Sequence, residues 1–88
     1  MNLDWDEAKR DWTLRERGLD FASVAEADWD AALTVEDSRS DYGEVRHVSL
    51  VPINDRLCVV AWCIRDDRLR VISLRKANAR ERKAYDQG

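Results

Sequence analysis

The sequence is poor in the residues on which metal-dependent and nucleotide-dependent enzymes rely. Its 88 residues include one histidine, two cysteines, three glycines and one proline. His47, the two cysteines and the scattered carboxylates supply no ligand cluster with a spacing suited to a metal ion. The chain also has neither a glycine-rich phosphate loop nor a GxSxG nucleophile motif. We therefore expect no metal site and no cofactor, which excludes the common hydrolases and nucleotide-binding enzymes.

Long hydrophobic segments are missing as well. No window approaches the roughly 18 apolar residues of a membrane-spanning helix, and the first residues, MNLDWDEAK, lack the apolar core of a signal peptide. Cys58 and Cys63 lie five positions apart in an apolar stretch, so they are predicted to be reduced core thiols on opposite faces of a strand. We expect a cytoplasmic protein that does not contact membranes.

Charged and aromatic residues are abundant by contrast. Asp, Glu, Lys and Arg make up 38% of the chain, and there are four tryptophans. This composition is typical of a globular protein. The length suits a single domain at residues 1–88, whose small core must be filled by large side chains.

The two halves of the chain differ in charge. Residues 1–44 carry 5 basic and 13 acidic side chains (net −8), whereas residues 45–88 carry 10 and 5 (net +5). The basic residues concentrate between Arg68 and Lys83. Such asymmetry is typical of proteins that bind nucleic acid or an acidic partner, although the two halves could also face and offset each other.

The first half of the chain predicts two helices after a short strand at residues 2–5. Asp6 is a suitable N-cap and Gly18 supplies a left-handed C′ position, so the first helix lies between them. Asp20 begins a second, shorter helix. The residues expected to face the core are Trp5, Ala8 and Trp12 around the first helix, and Phe21, Val24 and Ala25 on the second. Trp29 could either pin the second helix to the sheet or present an aromatic anchor to a partner.

The second half predicts four strands and a closing helix. The strands are expected at residues 32–38, 44–51, 56–64 and 68–76, separated by turns at 41–43, 52–55 and 66–67. Asn78 and Glu81 form a capping box that begins the last helix, which reaches Tyr85 or beyond. The predicted fold is α+β, an antiparallel β-sheet meander with two N-terminal helices and one C-terminal helix on one face.

The basic C-terminal segment holds side chains suited to metal-free RNA cleavage. That reaction needs an acceptor for the 2′-hydroxyl proton, positive charge on the pentavalent phosphorane and a proton for the departing 5′-oxygen. Arginine binds phosphate oxygens in pairs, and a Glu, a Tyr, a shifted Lys or a histidine could transfer the protons. The candidate residues are Arg75, Lys76, Glu81, Tyr85 and His47 for catalysis, with Arg80, Arg82 and Lys83 for RNA binding.

A purely structural role would account for the same residues. Glu81 could simply cap its helix, and Tyr85 could pack its ring on the sheet. The three basic residues of the helix could form an ordinary solvated surface, and His47 could be a half-buried filler of its strand. The residue types alone leave these alternatives open.

Four segments form a recognisable pattern in order along the chain. They are WDEAK, RERGLDFASVAEA, LTVEDSRSDYGEVRHVSL and RVISLRKANARERKAY. Together they resemble the BrnT-type toxins of bacterial type II toxin–antitoxin modules, and the block at residues 72–85 is the most specific. The resemblance implies a RelE-like fold and a metal-independent ribonuclease that inhibits translation. It also implies a cognate BrnA-type antitoxin with a ribbon-helix-helix part, operator DNA contacted only through that antitoxin, and a toxin dimer within a heterotetramer.

The resemblance also assigns residues by position. It matches Arg75 and Lys76 to a basic strand end, Arg46 to the second meander strand, and Glu81, Arg82 and Tyr85 to the last helix. Many relatives read Lys-His-Gly where this chain has Glu16, Arg17 and Gly18. Arg17 can bind phosphate but does not shuttle protons near neutral pH.

The resulting hypothesis assigns the scissile phosphate to the basic strand residues Arg46, Arg75 and Lys76, with Glu81 or His47 as the base. The surrounding positive charge would come from Arg17, Arg80 and Arg82. Two alternatives remain: a non-catalytic module that pairs with a DNA-binding antitoxin as operon co-repressor, and a structural subunit whose basic half covers the acidic half of another copy.

Overall fold

The structure, a computed structural model, describes residues 2–39 and 41–88. Its strands are β1 (Leu3–Trp5), β2 (Leu33–Asp37), β3 (Arg46–Ile53), β4 (Arg56–Arg65) and β5 (Arg68–Lys76). Its helices are α1 (Glu7–Arg17), two 3₁₀ helices at Phe21–Glu26 and Trp29–Ala31, and α2 (Ala79–Asp86). Among these described helices, none has the length and apolar character needed to cross a membrane.

The five strands form one sheet in the order β1-β5-β4-β3-β2. The predicted antiparallel meander from β2 to β5 is confirmed. The expectation of a purely antiparallel sheet is wrong, because β1 pairs in parallel with β5, with Leu3 opposite Leu69 and Trp5 opposite Val71. The helices between β1 and β2 carry the chain to the opposite edge of the sheet. The meander then returns strand by strand from β2, so its last strand, β5, lies beside β1.

Local capping signals begin and end the helices as predicted. The side chain of Asp6 accepts hydrogen bonds from two backbone N–H groups of the first turn of α1, and Gly18 closes that helix at a φ of 67°. Asn78 and Glu81 form the reciprocal capping box of α2. These contacts join residues two to four positions apart, so the sequence alone is sufficient to predict them.

The hairpin turns lie at Asn54-Asp55 and Asp66-Asp67, whose four residues all have positive φ, as two-residue hairpin turns require. The predicted turn at 52–55 therefore starts too early, since β3 continues through Pro52 to Ile53. Pairing between β2 and β3 ends at Leu50, so the missing N–H of Pro52 removes no hydrogen bond between these strands. The carbonyl of Pro52 accepts a 3.0 Å hydrogen bond from the N–H of Asp28 instead.

The expected second helix is a 3₁₀ helix rather than an α-helix. Phe21 and Val24 are fully buried, as predicted. Ala25 is exposed, contrary to expectation, and Ala27 packs against the core instead. With about three residues per turn, a 3₁₀ helix brings positions i, i+3 and i+6 onto one side.

The prediction that Ala8 and Trp12 are buried is wrong, because both residues are exposed. Trp12 is 48% exposed, whereas its neighbour Thr13 is 3% exposed. The inward side of α1 is polar: Arg10 donates hydrogen bonds of 2.8 and 3.0 Å to the carboxylate of Asp20, and Arg17 donates one of 2.9 Å to the backbone carbonyl of Leu74. Because hydrogen bonds attach this helix to its neighbours, its apolar residues do not mark the packed side.

The two faces of the sheet differ sharply. The core face carries the buried cluster Leu19, Phe21, Val24, Val51, Ile53, Cys58, Val60, Leu69, Val71 and Leu74. The opposite face, which we call the open face, carries the side chains that alternate with these on the strands. Cys63 lies on the open face and Cys58 on the core face, and both thiols are free and buried, as predicted.

The helices are divided between these faces, so the prediction that all of them pack on one face is wrong. The first 3₁₀ helix supplies core-face residues, whereas α2 contacts the open face. That contact joins Glu81 to Arg75, which follows the core-face residue Leu74 and therefore points to the other side.

Candidate functional site

A groove of about 480 Å³ runs across the open face between β2 and β5. Its floor is apolar and is formed by Val35, Val48, Val59 and Ala61. On the β5 side it is bordered by Ser73 and Arg75, and on the β2 side by residues 36–39. The groove combines an apolar surface with a cation at one end, as small-ligand sites commonly do.

Arg75 is held in one orientation by Glu81. Its Nη1 and Nη2 atoms each donate a 2.8 Å hydrogen bond to the carboxylate, and Nη1 also donates a longer one, of 3.3 Å, to the carbonyl of Lys76. The backbone N–H of Asn78 donates a further bond of 2.9 Å to Glu81. The carboxylate is thus fixed from two directions, and the guanidinium with it.

The same contacts set the charge of the pair. The hydrogen bonds from Arg75, and then that from Asn78, lower the pKa of Glu81 from 4.5 to about 2. The carboxylate in turn raises the pKa of Arg75. Glu81 is therefore an ionised, weakly basic group while this pair is intact, suited to positioning Arg75 rather than accepting a proton.

One edge of the Arg75 guanidinium remains available. Of its five N–H donors, Nε–H and the second Nη2 hydrogen have no protein acceptor among the described residues. Its side chain is 42% exposed. An Nε/Nη2 edge is one of the two planar edges through which arginine binds a phosphate in bidentate fashion.

The strand separates Lys76 from Arg75. The two residues alternate on β5, and Lys76 lies opposite Cys58, a member of the core-face cluster. The structure therefore does not bring these two cations together on one side of the sheet.

Arg46 shares the open face with Arg75 but lies at its other end. It is four residues from Leu50, which lies in the cross-strand row of Arg75, a separation of about 13 Å along the strand at roughly 3.3 Å per residue. The guanidinium of Arg46 lies 3.9 Å from the ring centroid of Tyr42 and 3.3 Å from the Glu44 carboxylate. Its charge is therefore already partly offset.

His47 lies on the core-face side of the sheet. Its ring stacks on Trp62 with the centroids 4.5 Å apart, and Trp62 meets Trp29 edge-on at 5.7 Å. Arg75 points to the opposite face, so the sheet separates it from the imidazole. Trp29 packs against the core, consistent with the alternative in which it pins its helix to the sheet.

Helix α2 crosses from the β5 side of the sheet to the β2 side. At one end Glu81 binds Arg75, and at the other the hydroxyl of Tyr85 donates a 2.6 Å hydrogen bond to the carbonyl of Ala31. The hydroxyl of Tyr85 thus has a structural partner.

The three basic residues of α2 are exposed but differ in their contacts. Arg82 donates a 2.9 Å hydrogen bond to the carbonyl of Ala77. Within residues 2–39 and 41–88, Arg80 and Lys83 form no ion pair. The charge of these two exposed side chains is therefore not offset by a described carboxylate.

Comparison with known families identifies the protein class. A family model described as the ribonuclease toxin, BrnT, of a type II toxin-antitoxin system matches residues 5–81. The chain belongs to this family. The family description implies an antitoxin partner. No curated protein matches the chain.

The BrnT match places part of the candidate site inside the family region. The candidates within the matched range are Arg17, Arg46, His47, Arg75, Lys76, Arg80 and Glu81. The range ends before the remaining candidates of α2, which are Arg82, Lys83 and Tyr85. The Arg75–Glu81 pair is therefore the part of the site that both the geometry and the family match include.

A second cavity, of about 500 Å³, lies beside the groove of this BrnT-family chain, between α1 and β5. Arg17 lines it, with its guanidinium carbon 5.1 Å from the ring centroid of Trp12. Ser73 borders both the cavity and the groove. Arg17 thus lies near the Arg75 end of the open face, as the hypothesis of a shared basic surface requires.

Sequence reasoning missed Trp12 and Ser73. Ser73 reaches both cavities because β5 contains a bulge, in which Ala61 pairs with Ser73 while Trp62 pairs with Val71. The extra residue, Ile72, shifts the buried positions of β5 from odd to even numbers. The sequence does not mark this shift, because Ile72 is itself apolar and directly follows Val71. No signal in the sequence marked the exposure of Trp12 either.

Across residues 2–39 and 41–88, histidine, cysteine, aspartate and glutamate nowhere form a group of three arranged to hold a metal ion.

Proposed function

We propose that the chain is a cytoplasmic toxin that cleaves RNA without a metal ion, with the scissile phosphate bound at the Arg75 end of the groove. The observation that carries this proposal is the free Nε/Nη2 edge of Arg75, oriented by Glu81 beside an open groove. Membership of the BrnT family supports the ribonuclease class. A preoriented cation stabilises a developing phosphorane without reorganising during the reaction.

In the proposed reaction, the 2′-oxygen of the RNA forms a bond to phosphorus while the bond to the 5′-oxygen breaks. Arg75 donates hydrogen bonds to the non-bridging oxygens as their negative charge grows. Glu81 is a positioning residue, because the ion pair lowers its pKa to about 2. Lys76 and His47 extend from the other side of the sheet, so we assign both proton transfers to water. The products are a 2′,3′-cyclic phosphate and a 5′-hydroxyl end.

The other basic residues are proposed to attract and guide the RNA. Arg80 and Lys83 are exposed residues of α2, one and two positions from Glu81 in the sequence. Arg17 approaches from α1 on the other side of Ser73. Unpaired surface cations of this kind speed the association of a polyanion and make it dependent on salt.

The fold and partners are proposed from the family. We assign the chain to the RelE-like toxins, which the α+β sheet with a helix after its last strand supports. The antitoxin is proposed to be of the BrnA type, with a ribbon-helix-helix part that contacts operator DNA. Val35 and Leu33 on edge strand β2 are 66% and 43% exposed, and we expect the antitoxin to cover them within a heterotetramer.

The decisive experiment compares wild type with Arg75→Ala after induction in a bacterium that lacks the antitoxin. Growth arrest with loss of RNA is expected for wild type alone. Purified wild type should also cleave single-stranded RNA in the presence of EDTA, releasing cyclic phosphate ends. Arg15→Ala is a matched control, since Arg15 is an exposed arginine that lines neither the groove nor the α1 cavity.

One observation favours a non-catalytic module. The guanidinium of Arg75, which would stabilise the phosphorane, already binds the carboxylate of Glu81. In that case the chain would bind RNA or an acidic antitoxin segment and act as a co-repressor. RNA binding that weakens steeply with salt, without cleavage products and without growth arrest, would support this function instead.

A further inference from the structure

We propose that the cavity between α1 and β5 binds a base of single-stranded RNA, with Trp12 as its stacking platform. This inference rests on the proposed function and adds a nucleotide subsite to it. The cavity has a volume of about 500 Å³, and its lining includes Lys9, Trp12, Arg17 and Ser73.

The exposure of Trp12 sets it apart from the other tryptophans. Trp5, Trp29 and Trp62 all pack against the hydrophobic core, whereas Trp12 is 48% exposed. The indole N–H groups of Trp5 and Trp62 have acceptors, the first in Glu7 and the second in Ser49. Among the described residues, the indole N–H of Trp12 has none. A large aromatic surface left open in this way is available to stack with another ring.

The indole of Trp12 lies against the side chain of Arg17. The guanidinium carbon of Arg17 lies 5.1 Å from the ring centroid, within the range of a cation–π contact. Arg17 itself is held by a 2.9 Å hydrogen bond to the carbonyl of Leu74. One side of the indole is therefore supported by a fixed cation, and a base can stack on the ring without disturbing the core.

The charge of the cavity suits a nucleotide. Lys9 and Arg17 line it, and neither forms an ion pair with any described carboxylate. The carboxylate of Asp6, which also lines the cavity, accepts two backbone N–H groups at the start of α1. A nucleotide uses both features, because its base stacks on the indole while its phosphate binds the cations. An acidic peptide would use only the cations.

The cavity lies next to the proposed cleavage site, since Ser73 borders both. Ser73 and Arg75 are two residues apart on β5, about 7 Å along the strand. An RNA strand whose scissile phosphate binds Arg75 would thus place an adjacent nucleotide near Trp12. The geometry makes Trp12 a determinant of binding rather than of the chemical step.

The test measures the binding of a short single-stranded RNA whose 2′-hydroxyls are methylated, so that it is not cleaved. It uses wild type, Trp12→Ala and Trp12→Phe, together with a series of the same RNA that lacks one base in turn. Leu14→Ala is the matched control, since Leu14 is 43% exposed on the same helix but does not line the cavity. Circular dichroism establishes that each variant is folded.

Trp12→Ala is expected to bind the intact RNA about 5- to 150-fold more weakly than wild type, which corresponds to about 1–3 kcal/mol for one stacked base. Trp12→Phe should retain part of the affinity, and Leu14→Ala all of it. Removal of one particular base should weaken binding to wild type by a similar factor. The same removal should have little further effect on Trp12→Ala, because the partner of that base is already missing.

Equal binding of the intact RNA by wild type and Trp12→Ala would overturn the subsite. If wild type still cleaves ordinary RNA, the proposed function survives that result. A wild-type protein that neither binds nor cleaves RNA would overturn both. Loss of antitoxin binding in Trp12→Ala, with RNA binding unchanged, would identify the cavity as a protein contact and also overturn the inference.

Discussion

The carboxylate of Glu81 receives two 2.8 Å hydrogen bonds from Arg75, six residues earlier in the chain, and so joins the end of β5 to the first turn of α2. Glu81 also completes the capping box of that helix. One carboxylate thus begins the helix and orients the arginine proposed to bind phosphate. Changes to Glu81 should affect both folding and activity. Unfolding experiments measure the first effect and cleavage kinetics the second.

We expect Glu81→Gln to reduce kcat for RNA cleavage by roughly 10- to 100-fold, the cost of a misplaced catalytic group. KM should stay the same or fall, because Gln keeps the size of the side chain while a negative charge that opposes RNA is removed. Steady-state kinetics on a short RNA measures both constants. A role for Glu81 as the base would instead change the pH profile of kcat together with its size.

The cleavage rate of wild type should rise with pH without a plateau near neutrality. If the 2′-hydroxyl loses its proton to the solvent in an equilibrium before it attacks phosphorus, the rate follows the hydroxide concentration and increases about tenfold per pH unit. Single-turnover cleavage between pH 6 and pH 8 measures this slope. A plateau within that range would indicate that a side chain such as His47 acts as the base and would contradict the proposed assignment.

Acid should weaken the Arg75–Glu81 pair. The folded-state pKa of Glu81 is depressed from 4.5 to about 2, so the pair stabilises the protein above pH 4.5 and loses that effect as the pH falls towards 2. Urea unfolding at pH 7 should show wild type more stable than Glu81→Gln. The difference should shrink at pH 3, and a constant difference would show that the charge of Glu81 is not its source.

Several other carboxylates have a lowered pKa, because arginines donate hydrogen bonds to them. They include Asp4, beside Arg70, and Asp20, beside Arg10. Their protonation will also destabilise the fold in acid. The comparison with Glu81→Gln at each pH removes this shared contribution, since both proteins retain these other pairs.

Tyr85→Phe should loosen α2 without abolishing the fold. The change removes the 2.6 Å hydrogen bond from Tyr85 to the carbonyl of Ala31, and a lost hydrogen bond costs about 0.5–1.5 kcal/mol. Hydrogen exchange should become faster at residues 79–86, while the strands keep their protection. Faster exchange throughout the protein would show that Tyr85 contributes to global rather than local stability.

His47→Ala should lower the stability of the protein and leave its activity intact, whereas Arg75→Ala should lose activity. It removes the ring that stacks on Trp62, a contact worth about 0.5–1.5 kcal/mol beyond the area it buries. We expect a lower melting temperature with growth arrest retained. Loss of toxicity in a folded His47→Ala protein would mean that the reaction uses the core-face side of the sheet.

Much of the secondary structure was predictable from neighbouring residues. Asp6, Gly18 and the Asn78–Glu81 box mark the helix ends through contacts within about one turn. The alternation of apolar residues predicts the four-strand meander, and β5 has the bounds expected for it. The separation of Arg75 from Lys76 also follows from that alternation, because adjacent strand residues point to opposite faces.

The candidate site was only partly predictable. The clustering of basic residues led to Arg75 and Glu81, whose close spacing at a strand–helix junction allows them to meet. It also grouped them with His47 and Arg46. His47 lies on the core face, and Arg46 lies at the far end of the open face. Their separation depends on the pairing of β3 with β4 and of β4 with β5, and a one-residue change of register would reverse every side chain.

The sequence by itself determined the helix ends, the hairpins, the basic C-terminal segment and, through its motifs, the family. Tertiary structure alone decided that β1 joins β5 in parallel, that Ile72 forms a bulge and that α1 leaves Trp12 exposed beside Ser73. Capping and alternation act between near neighbours in the chain, so local sequence carries them. Strand order and the inward side of a helix depend on contacts between distant segments, such as the bond from Arg17 to Leu74.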